Sequence, residues 1–305
     1  MVKYFKKIAL FFVLIAIIDV MCGFGFNVLK KHAKGSDTHK NYYIAEECAA
    51  DILILGSSRA ARHYDPNVVE NSFGFSCYNA GEPGCGIITA YARYGSVAAR
   101  KTPKLVIYEV SPRFDYFKGE DNSKYLGRVR QYADKPLVKA MFLDLGDNLE
   151  QLRLLSNMYK NNSSIVHNVV DNLMGQDNKG FEPLQGVMKA GQEYKRKIEK
   201  CPEVDSVKLA YMEKLILELQ QQDVKVCFMV SPKGIGKEEA AKETIEYAPI
   251  ISLCHKYNVP FINHTYMEGI SDHREYFHDF VHFNRKGAAF YTETICKELK
   301  KQNIF

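Results

Sequence analysis

The sequence predicts a three-layer α/β fold around a parallel sheet, preceded by one membrane-spanning helix. Two observations support this prediction. Short apolar strands alternate with segments of helical periodicity in the first and last thirds of the chain, which is typical of a parallel sheet with helices on both faces. Near the N-terminus, residues 8–29 contain Asp19 as their only charge, and a helix of that length spans a bilayer at about 1.5 Å per residue.

The composition is that of an ordinary globular protein. The 305 residues are 46% hydrophobic and 25% charged, which suffices for one large domain or two small ones. The net charge of +5 is modest and its basic residues cluster around the apolar segment, so no nucleic-acid partner is predicted. The eight cysteines form no CxxC pair, so most are expected in the core, with a Cys77–Cys85 disulfide as an open alternative.

The apolar segment is predicted to be an uncleaved anchor comprising residues 1–34, because it is longer than the apolar core of a cleavable signal peptide. Lysines lie on both sides of it, at positions 3, 6 and 7 and at positions 30, 31 and 34. Since the tail before the segment is short, the rest of the chain is expected outside the cytoplasm. Asp19 is expected to be neutralised or packed against a partner helix, or to function as an intramembrane carboxylate. The polar residues 32–48 are predicted to form a linker, within a domain of residues 35–305.

The first predicted strand, residues 52–55, is a run of four apolar residues bounded by Gly56. Ser57 and Ser58 follow it, where the strand ends and a helix begins. A serine in this position lies at the carboxyl edge of the sheet, where the N–H groups of a helix N-terminus face a bound substrate. The alternative is that one of these serines only caps the helix.

A short apolar segment at 76–79 then leads into a loop with three glycines. Because glycine lets backbone amides approach a ligand closely, Gly81 is predicted to donate to an oxyanion, with a plain turn as the alternative. A helix over 89–100 and a strand over 104–110 follow, and the strand ends at Ser111-Pro112-Arg113.

Residues 114–200 interrupt the alternation and are predicted to be an insertion that caps the carboxyl edge and shapes a substrate cleft. Helices are predicted within it at 136–145, 149–159 and 164–173, before a glycine-rich loop at 180–186.

The alternation resumes with an apolar helix face over 207–219, a strand at 224–230, a helix at 249–257 and a short strand at 259–263. Asn284 is predicted to cap the last helix. The loop before it contains Asp279 and, three residues later, His282.

Ser58, His282 and Asp279 are predicted to act together as nucleophile, base and orienting carboxylate. A serine hydroxyl is a poor nucleophile near neutral pH unless a histidine accepts its proton, and a carboxylate fixes the tautomer of that histidine. One loop presents both Asp279 and His282 on the same side.

Other interpretations of the polar residues stay open. His278 and His282 with Asp272 and Asp279 resemble a metal site, but no His-Glu-x-x-His motif and no third ligand at diagnostic spacing occurs, so neither a metal nor a cofactor is predicted. No Gly-x-Ser-x-Gly elbow is present. The remaining candidates, which either line the cleft or have structural or solvated roles, are Arg59, Arg62, His63 and Tyr64.

These motifs resemble those of the SGNH (GDSL-type) hydrolases. Gly56-Ser57-Ser58 matches the nucleophile block, Asn79-Ala80-Gly81 the oxyanion glycine, and Asp279-Phe280-Val281-His282 the late Asp-x-x-His motif. The resemblance covers residues 50–112 and 205–300. It implies a flavodoxin-like three-layer sheet and ester hydrolysis or acyl transfer through an acyl-serine.

The third motif of that family departs from the pattern. A Gly-x-Asn-Asp block is expected after Val110, but Ser111-Pro112-Arg113 stands there, so Ser111 or Arg113 would donate to the oxyanion or bind substrate. A membrane-anchored chain with this departure resembles accessory proteins of polysaccharide O-acetylation. That implies an acylated carbohydrate or another ester as substrate and a membrane-bound acyltransferase as partner, with an inactive glycan-binding scaffold as the alternative.

Overall fold

The computed structural model describes residues 1–162, 177–191, 194 and 202–305. Within them, five parallel strands form one sheet in the order β2-β1-β3-β4-β5. This confirms the predicted α/β fold and places the first strand inside the sheet. The strands are β1 (Ile52–Gly56), β2 (Cys77–Asn79), β3 (Leu105–Glu109), β4 (Lys225–Val230) and β5 (Phe261–Asn263).

Helices precede the sheet and cover both of its faces. Of the described helices, the first is the one long and apolar enough to cross a membrane. In chain order the helices are α1 (Val2–His32), α2 (Ser36–Glu46), α3 (Ser58–His63), α4 (Pro66–Phe73), α5 (Ile87–Ala98), α6 (Pro112–Asp115), α7 (Pro136–Leu145), α8 (Glu150–Arg153), α9 (Asn157–Asn161), α10 (Ser206–Gln221), α11 (Lys237–Thr244), α12 (Ala248–Tyr257) and α13 (Arg285–Lys301). Short 3₁₀ turns occur at Asn122–Leu126, Arg130–Tyr132, Ile245–Tyr247 and Arg274–Tyr276.

Two apolar cores, one on each face of the sheet, hold the three layers together. Successive residues of a strand point to opposite faces, so Leu53 and Val106 pack with buried residues of α5, α10 and α12. Ile54 and Ile107 pack on the other side with buried residues of α13. The continuous apolar strands of the sequence are therefore a consequence of burial on both faces.

The carboxyl ends of the central strands lie level with one another. Gly56 in β1 pairs with Glu109 in β3, and Glu109 pairs with Met229 in β4. Gly56 has a φ of +130°, and a Cβ there would collide with the carbonyl oxygen of Glu109. The tight exit from β1 therefore requires glycine, and it brings Ser58 to the same edge as the segments that follow β3 and β4.

The predicted linker at residues 32–48 is wrong, because most of it forms α2, which packs against α1 and α5. Its polar side chains have partners within the domain. Lys40 is buried and donates to the carbonyl of Gly180 and, at 2.7 Å, to Glu182. Arg100 donates to the carbonyl of Cys48 beyond the end of the helix. A polar segment is buried here because distant residues satisfy its charges.

The described parts of the predicted insertion, residues 114–200, contact both the helical layer and the carboxyl edge. α7 forms where residues 136–145 were predicted to be helical and packs on α5. The single helix predicted at 149–159 is instead divided into α8 and α9, because Ser156 caps the second by accepting from the N–H of Tyr159. The helix predicted at 164–173 lies outside the described residues. The loop at 177–191 reaches α3, where Glu182 N–H donates to a carbonyl of that helix.

The Cys77–Cys85 disulfide does not form. Both cysteines are buried free thiols. They lie in different cores, Cys77 with the residues packed on α13 and Cys85 with those packed on α5. The sheet separates the two thiols, so both serve as small apolar core residues.

Candidate active site

Ser58 is the first residue of α3 and its hydroxyl lies 2.9 Å from Nε2 of His282. Ser57 occupies the N-cap position, but its side chain makes no capping hydrogen bond. Within the described part of the chain its buried Oγ has no hydrogen-bond partner at all. Neither serine therefore caps the helix through its side chain, and the structure instead directs Ser58 toward a histidine.

Asp279 holds the other nitrogen of His282. Its two carboxylate oxygens lie 3.0 and 3.1 Å from Nδ1 of His282. Oδ1 also accepts from the backbone N–H of Val281 at 2.7 Å and of His282 at 2.9 Å. With a proton on Nδ1 facing the carboxylate, Nε2 is left to accept from Ser58. The residues predicted as nucleophile, base and orienting carboxylate are thus brought together in one hydrogen-bonded series, and their catalytic roles stay predictions.

The pKa of Asp279 is lowered to about 2. Burial is the largest single influence and acts in the opposite direction, but the hydrogen bonds from the His282 ring and from the N–H groups of Val281 and His282 together outweigh it. Asp279 is therefore a carboxylate throughout the neutral range, as an orienting group must be.

A pH dependence of stability follows from this lowered pKa. Because the pKa is lower in the folded than in the unfolded chain, where it is about 3.9, Asp279 stabilises the fold above about pH 4 and loses this contribution as the pH falls toward 2. We expect wild type to be more stable than Asp279→Asn at pH 6 and the difference to shrink between pH 4 and 2. Urea unfolding followed by circular dichroism at several pH values measures this difference, and a constant difference would contradict the assignment.

A second histidine, His63, lies near His282. The sequence alone did not decide whether it lines the cleft or has a structural role. His63 is fully buried, and its Nε2 accepts from the N–H of Phe283 at 3.0 Å. Its Nδ1 donates to Ser231 Oγ at 2.7 Å, which donates in turn to Glu109 at 2.9 Å. Burial, followed by the charges of His282 and of nearby arginines, holds the pKa of His63 well below its usual value. His63 is therefore a neutral residue that positions the backbone next to the base.

Glu109 gathers several donors at the carboxyl end of β3. It is fully buried and forms an ion pair with Arg59 at 3.1 Å. It also accepts from the hydroxyl of Tyr64 and from the N–H of Ser231. Arg59 donates further to the carbonyl of Val110, so it is neither a solvated charge nor a ligand for an anionic sugar. Glu109 was not among the predicted site residues. The signal that could have identified it is a glutamate at the end of an otherwise apolar strand.

The N–H of Gly81, which was predicted to donate to an oxyanion, has an acceptor within its own loop, and its contact with an oxyanion stays a prediction. Its N–H donates to Asn79 Oδ1 at 3.0 Å. A Cβ at Gly81 would lie 2.5 Å from the backbone nitrogen of Ala61. Glycine is required here for close packing of the loop against α3, which is a structural role.

The two residues that stand in place of the third family motif make local contacts. The N–H of Ser111 donates to Asp115 at 2.6 Å. Arg113 is exposed, and its guanidinium lies 5.5 Å from the ring centre of Phe114. Contact of Ser111 or Arg113 with substrate stays a prediction.

His278 faces the loop at 177–191. Its Nδ1 donates to the carbonyl of Gln185 at 2.6 Å. Asn284, which caps α13 as predicted, donates to the neighbouring carbonyl of Gly186 at 2.9 Å. Among the described residues, no group of three histidine, cysteine, aspartate or glutamate side chains is arranged to hold a metal ion.

No protein-family model and no curated protein matches the sequence. A provisionally named platelet activating factor from Streptococcus pneumonia is 11% identical, with a TM-score of 0.42 over 88% of this chain and 91% of that one. A provisionally named acylhydrolase from Bacteroides fragilis is 10% identical, with a TM-score of 0.42 over 87% and 95% of the two chains.

A third solved structure is an active-site mutant of a family two carbohydrate esterase from Clostridium thermocellum. It is 9% identical, with a TM-score of 0.36 over 82% of this chain and 63% of that one.

Proposed function

We propose that the chain is a serine ester hydrolase or O-acyltransferase that works through an acyl intermediate on Ser58. The observation that supports this proposal best is the series Ser58 Oγ, His282 Nε2, His282 Nδ1 and Asp279, with separations of 2.9 to 3.1 Å. All three residues lie at the edge of the sheet where β1 ends. If these three residues had only structural roles, their side chains would not need to form a continuous series of hydrogen bonds.

In the first half-reaction, Ser58 Oγ attacks the carbonyl carbon of the ester while His282 Nε2 takes its proton. Asp279 stabilises the imidazolium that results. The C–O bond to the leaving group then breaks, and His282 gives its proton to the departing oxygen. The product is an alcohol and an acyl group bound to Ser58.

In the second half-reaction, an acceptor hydroxyl attacks the acyl carbon while His282 Nε2 takes its proton. The bond between the acyl carbon and Ser58 Oγ then breaks, and His282 gives the proton back to Ser58. Water as acceptor gives a carboxylic acid, and a sugar hydroxyl gives a new ester. We propose an acetyl group on a cell-surface polysaccharide as the cargo, α1 as a membrane anchor, and an extracytoplasmic position for the domain. The resemblance to polysaccharide O-acetylation accessory proteins supports these finer assignments.

Backbone donors for the developing oxyanion come from the start of α3 in this proposal. The first N–H groups of a helix have no acceptor within it, and Ser58 and Arg59 are the first residues of α3. Loss of one such donor typically lowers the rate by about 10²–10³. A site without the N–H groups of Gly81 and Ser111 is therefore expected to turn over slowly.

A second candidate is an inactive scaffold that binds glycan and a membrane acyltransferase. The observation in its favour is that the N–H groups of Gly81 and Ser111 are already bonded to Asn79 and Asp115. The two candidates differ in whether Ser58 is activated as a nucleophile.

Labelling of the full chain in detergent with a fluorophosphonate probe distinguishes them. We expect wild type to be labelled, Ser58→Ala not to be, and Ser57→Ala to be labelled like wild type because the Ser57 hydroxyl bonds to no described residue. Labelling that survives in Ser58→Ala would remove the nucleophile assignment. A folded wild-type protein that takes no label would favour the scaffold.

A further inference from the structure

Helix α1 consists of two halves that differ in what they contact. Residues 8–18 are all exposed. From Asp19 onward one face is covered by the rest of the protein, with Gly23, Phe26 and Lys30 buried. The spacing of four, three and four residues marks one side of a helix. The second half of the apolar segment is therefore docked on the domain.

The free half is too short to span a membrane. Residues 8–18 of a helix extend about 16 Å at about 1.5 Å per residue, which is about half of a hydrocarbon core of roughly 30 Å. An anchor that spans the bilayer must therefore include the docked half as well. The surface of the domain that contacts the docked half of α1 then lies at the depth of the lipid.

The docking contact is specific and lies in the middle of the apolar segment. The carboxylate of Asp19 accepts from Ser156 Oγ at 2.6 Å and from the N–H groups of Asn157 and Met158 at 2.8 and 2.9 Å. At Gly23, a Cβ would lie 2.6 Å from Cγ of Asn157. These bonds satisfy the carboxylate, as a charged group surrounded by apolar residues requires, and they fix the start of α9 against α1.

In the residues that lead along the chain into this contact, the protein exposes four large apolar side chains, which we call the leucine patch. Their exposed fractions are 55% for Leu149, 65% for Leu152, 76% for Leu155 and 40% for Met158. They recur every third residue through α8 and into α9. Exposed apolar residues concentrated in this way are typical of a surface that contacts a membrane or another protein.

The charged side chains in this region are paired with one another. Arg153 forms ion pairs with Asp147 at 2.7 Å and with Glu150 at 3.3 Å. At the end of α1, Lys30 and Tyr132 are both buried, with the ammonium 5.1 Å from the ring centre, so this end of the helix also packs on the domain.

We propose that the leucine patch is inserted into the lipid beside α1, so that α8 and α9 form a membrane-embedded foot of the domain. The occupant is the acyl region of the bilayer leaflet on the side of the domain. The proposal rests on the anchoring role of α1 proposed above. Its specific evidence is the bond between Asp19 and α9, which holds the patch at the level of the middle of the apolar segment.

Tryptophan fluorescence tests the proposal, because the chain contains no tryptophan. The full chain is reconstituted in phosphatidylcholine vesicles whose acyl chains carry bromine, a quencher that acts only at close range. Three single substitutions are compared: Phe11→Trp in the free half of α1, Leu155→Trp in the leucine patch, and Ile245→Trp as a control. Ile245 is exposed to 71% and, like Leu155 at 76%, is a large apolar residue on the surface, but its turn packs with α11 and α12 instead of α1.

We expect Phe11→Trp and Leu155→Trp to be quenched several-fold more than Ile245→Trp and to emit at shorter wavelength. Quenching of Phe11→Trp alone would leave the anchor in place and overturn the foot. This is also the result expected if the patch contacts a partner protein instead of lipid. Absence of quenching at all three positions would overturn the anchor and the foot together. Leu152→Trp serves as a second patch variant, and a circular dichroism spectrum like that of wild type shows that each variant is folded.

Discussion

Replacing His282 with alanine is expected to lower kcat for acyl-ester hydrolysis by on the order of 10⁴- to 10⁶-fold. Ser58 would keep its place at the start of α3 but lose the acceptor that lies 2.9 Å from its hydroxyl. The measurement is hydrolysis of p-nitrophenyl acetate by the full chain in detergent. Since the uncatalysed hydrolysis of this ester is easily followed, the loss is read against the rate without protein.

His278→Ala is the matched control for this experiment. His278 lies in the same loop, but its ring bonds to the carbonyl of Gln185 and not to Ser58. We expect its rate to stay close to that of wild type. If both histidine variants kept the wild-type rate, the base would have to be another residue. If both lost activity, the loop and not the imidazole would be responsible.

Replacing Glu109 with alanine is expected to destabilise the fold by about 3–5 kcal/mol. Glu109 and Arg59 are both almost completely buried, with side-chain exposures of 0% and 4%. The substitution leaves the guanidinium without a counter-charge and Tyr64 and Ser231 without their acceptor. The midpoint of thermal unfolding is expected to fall by about 6–20 °C, measured by circular dichroism at a fixed heating rate.

An exposed ion pair provides the contrast. Lys118 and Glu203 are 2.6 Å apart with side chains 58% and 73% exposed, so Lys118→Ala is expected to change stability by less than about 1 kcal/mol. The double variant Arg59→Met with Glu109→Leu should recover part of the loss, because it removes both buried charges together. A loss for Glu109→Ala as small as that for Lys118→Ala would show that the buried pair is not what holds the strand ends.

The sheet and the Ser58, His282 and Asp279 series were predictable because each depends on local pattern. A strand buried on both faces is a continuous apolar run, and β1 ends at a glycine that the turn requires. The spacing of Asp279 and His282 places both on one loop whatever the rest of the chain does. The proximity of that loop to Ser58 followed from the sheet, since the helix after the loop packs beside the first strand.

The buried support of the site was not predictable, because it depends on the register between distant strands. Arg59 and Glu109 meet only because Gly56 pairs with Glu109, and no spacing in the sequence records that pairing. The acceptor of the Gly81 N–H was not predictable for a similar reason. A glycine pattern shows where the backbone can approach closely, but the direction of its N–H is set here by the Asn79 side chain.

The short connection between α1 and α2 has a mechanical consequence. Only residues 33–35 separate the two helices. α2 is held by Lys40 and by Arg100, which donates to the carbonyl of Ala45, and α1 is held by Asp19. With α1 in a bilayer, the domain has no tether on which to swing. On the roles proposed for α1 and Ser58, the nucleophile would stay at one fixed height above the membrane, and acyl donors and acceptors would have to reach that height.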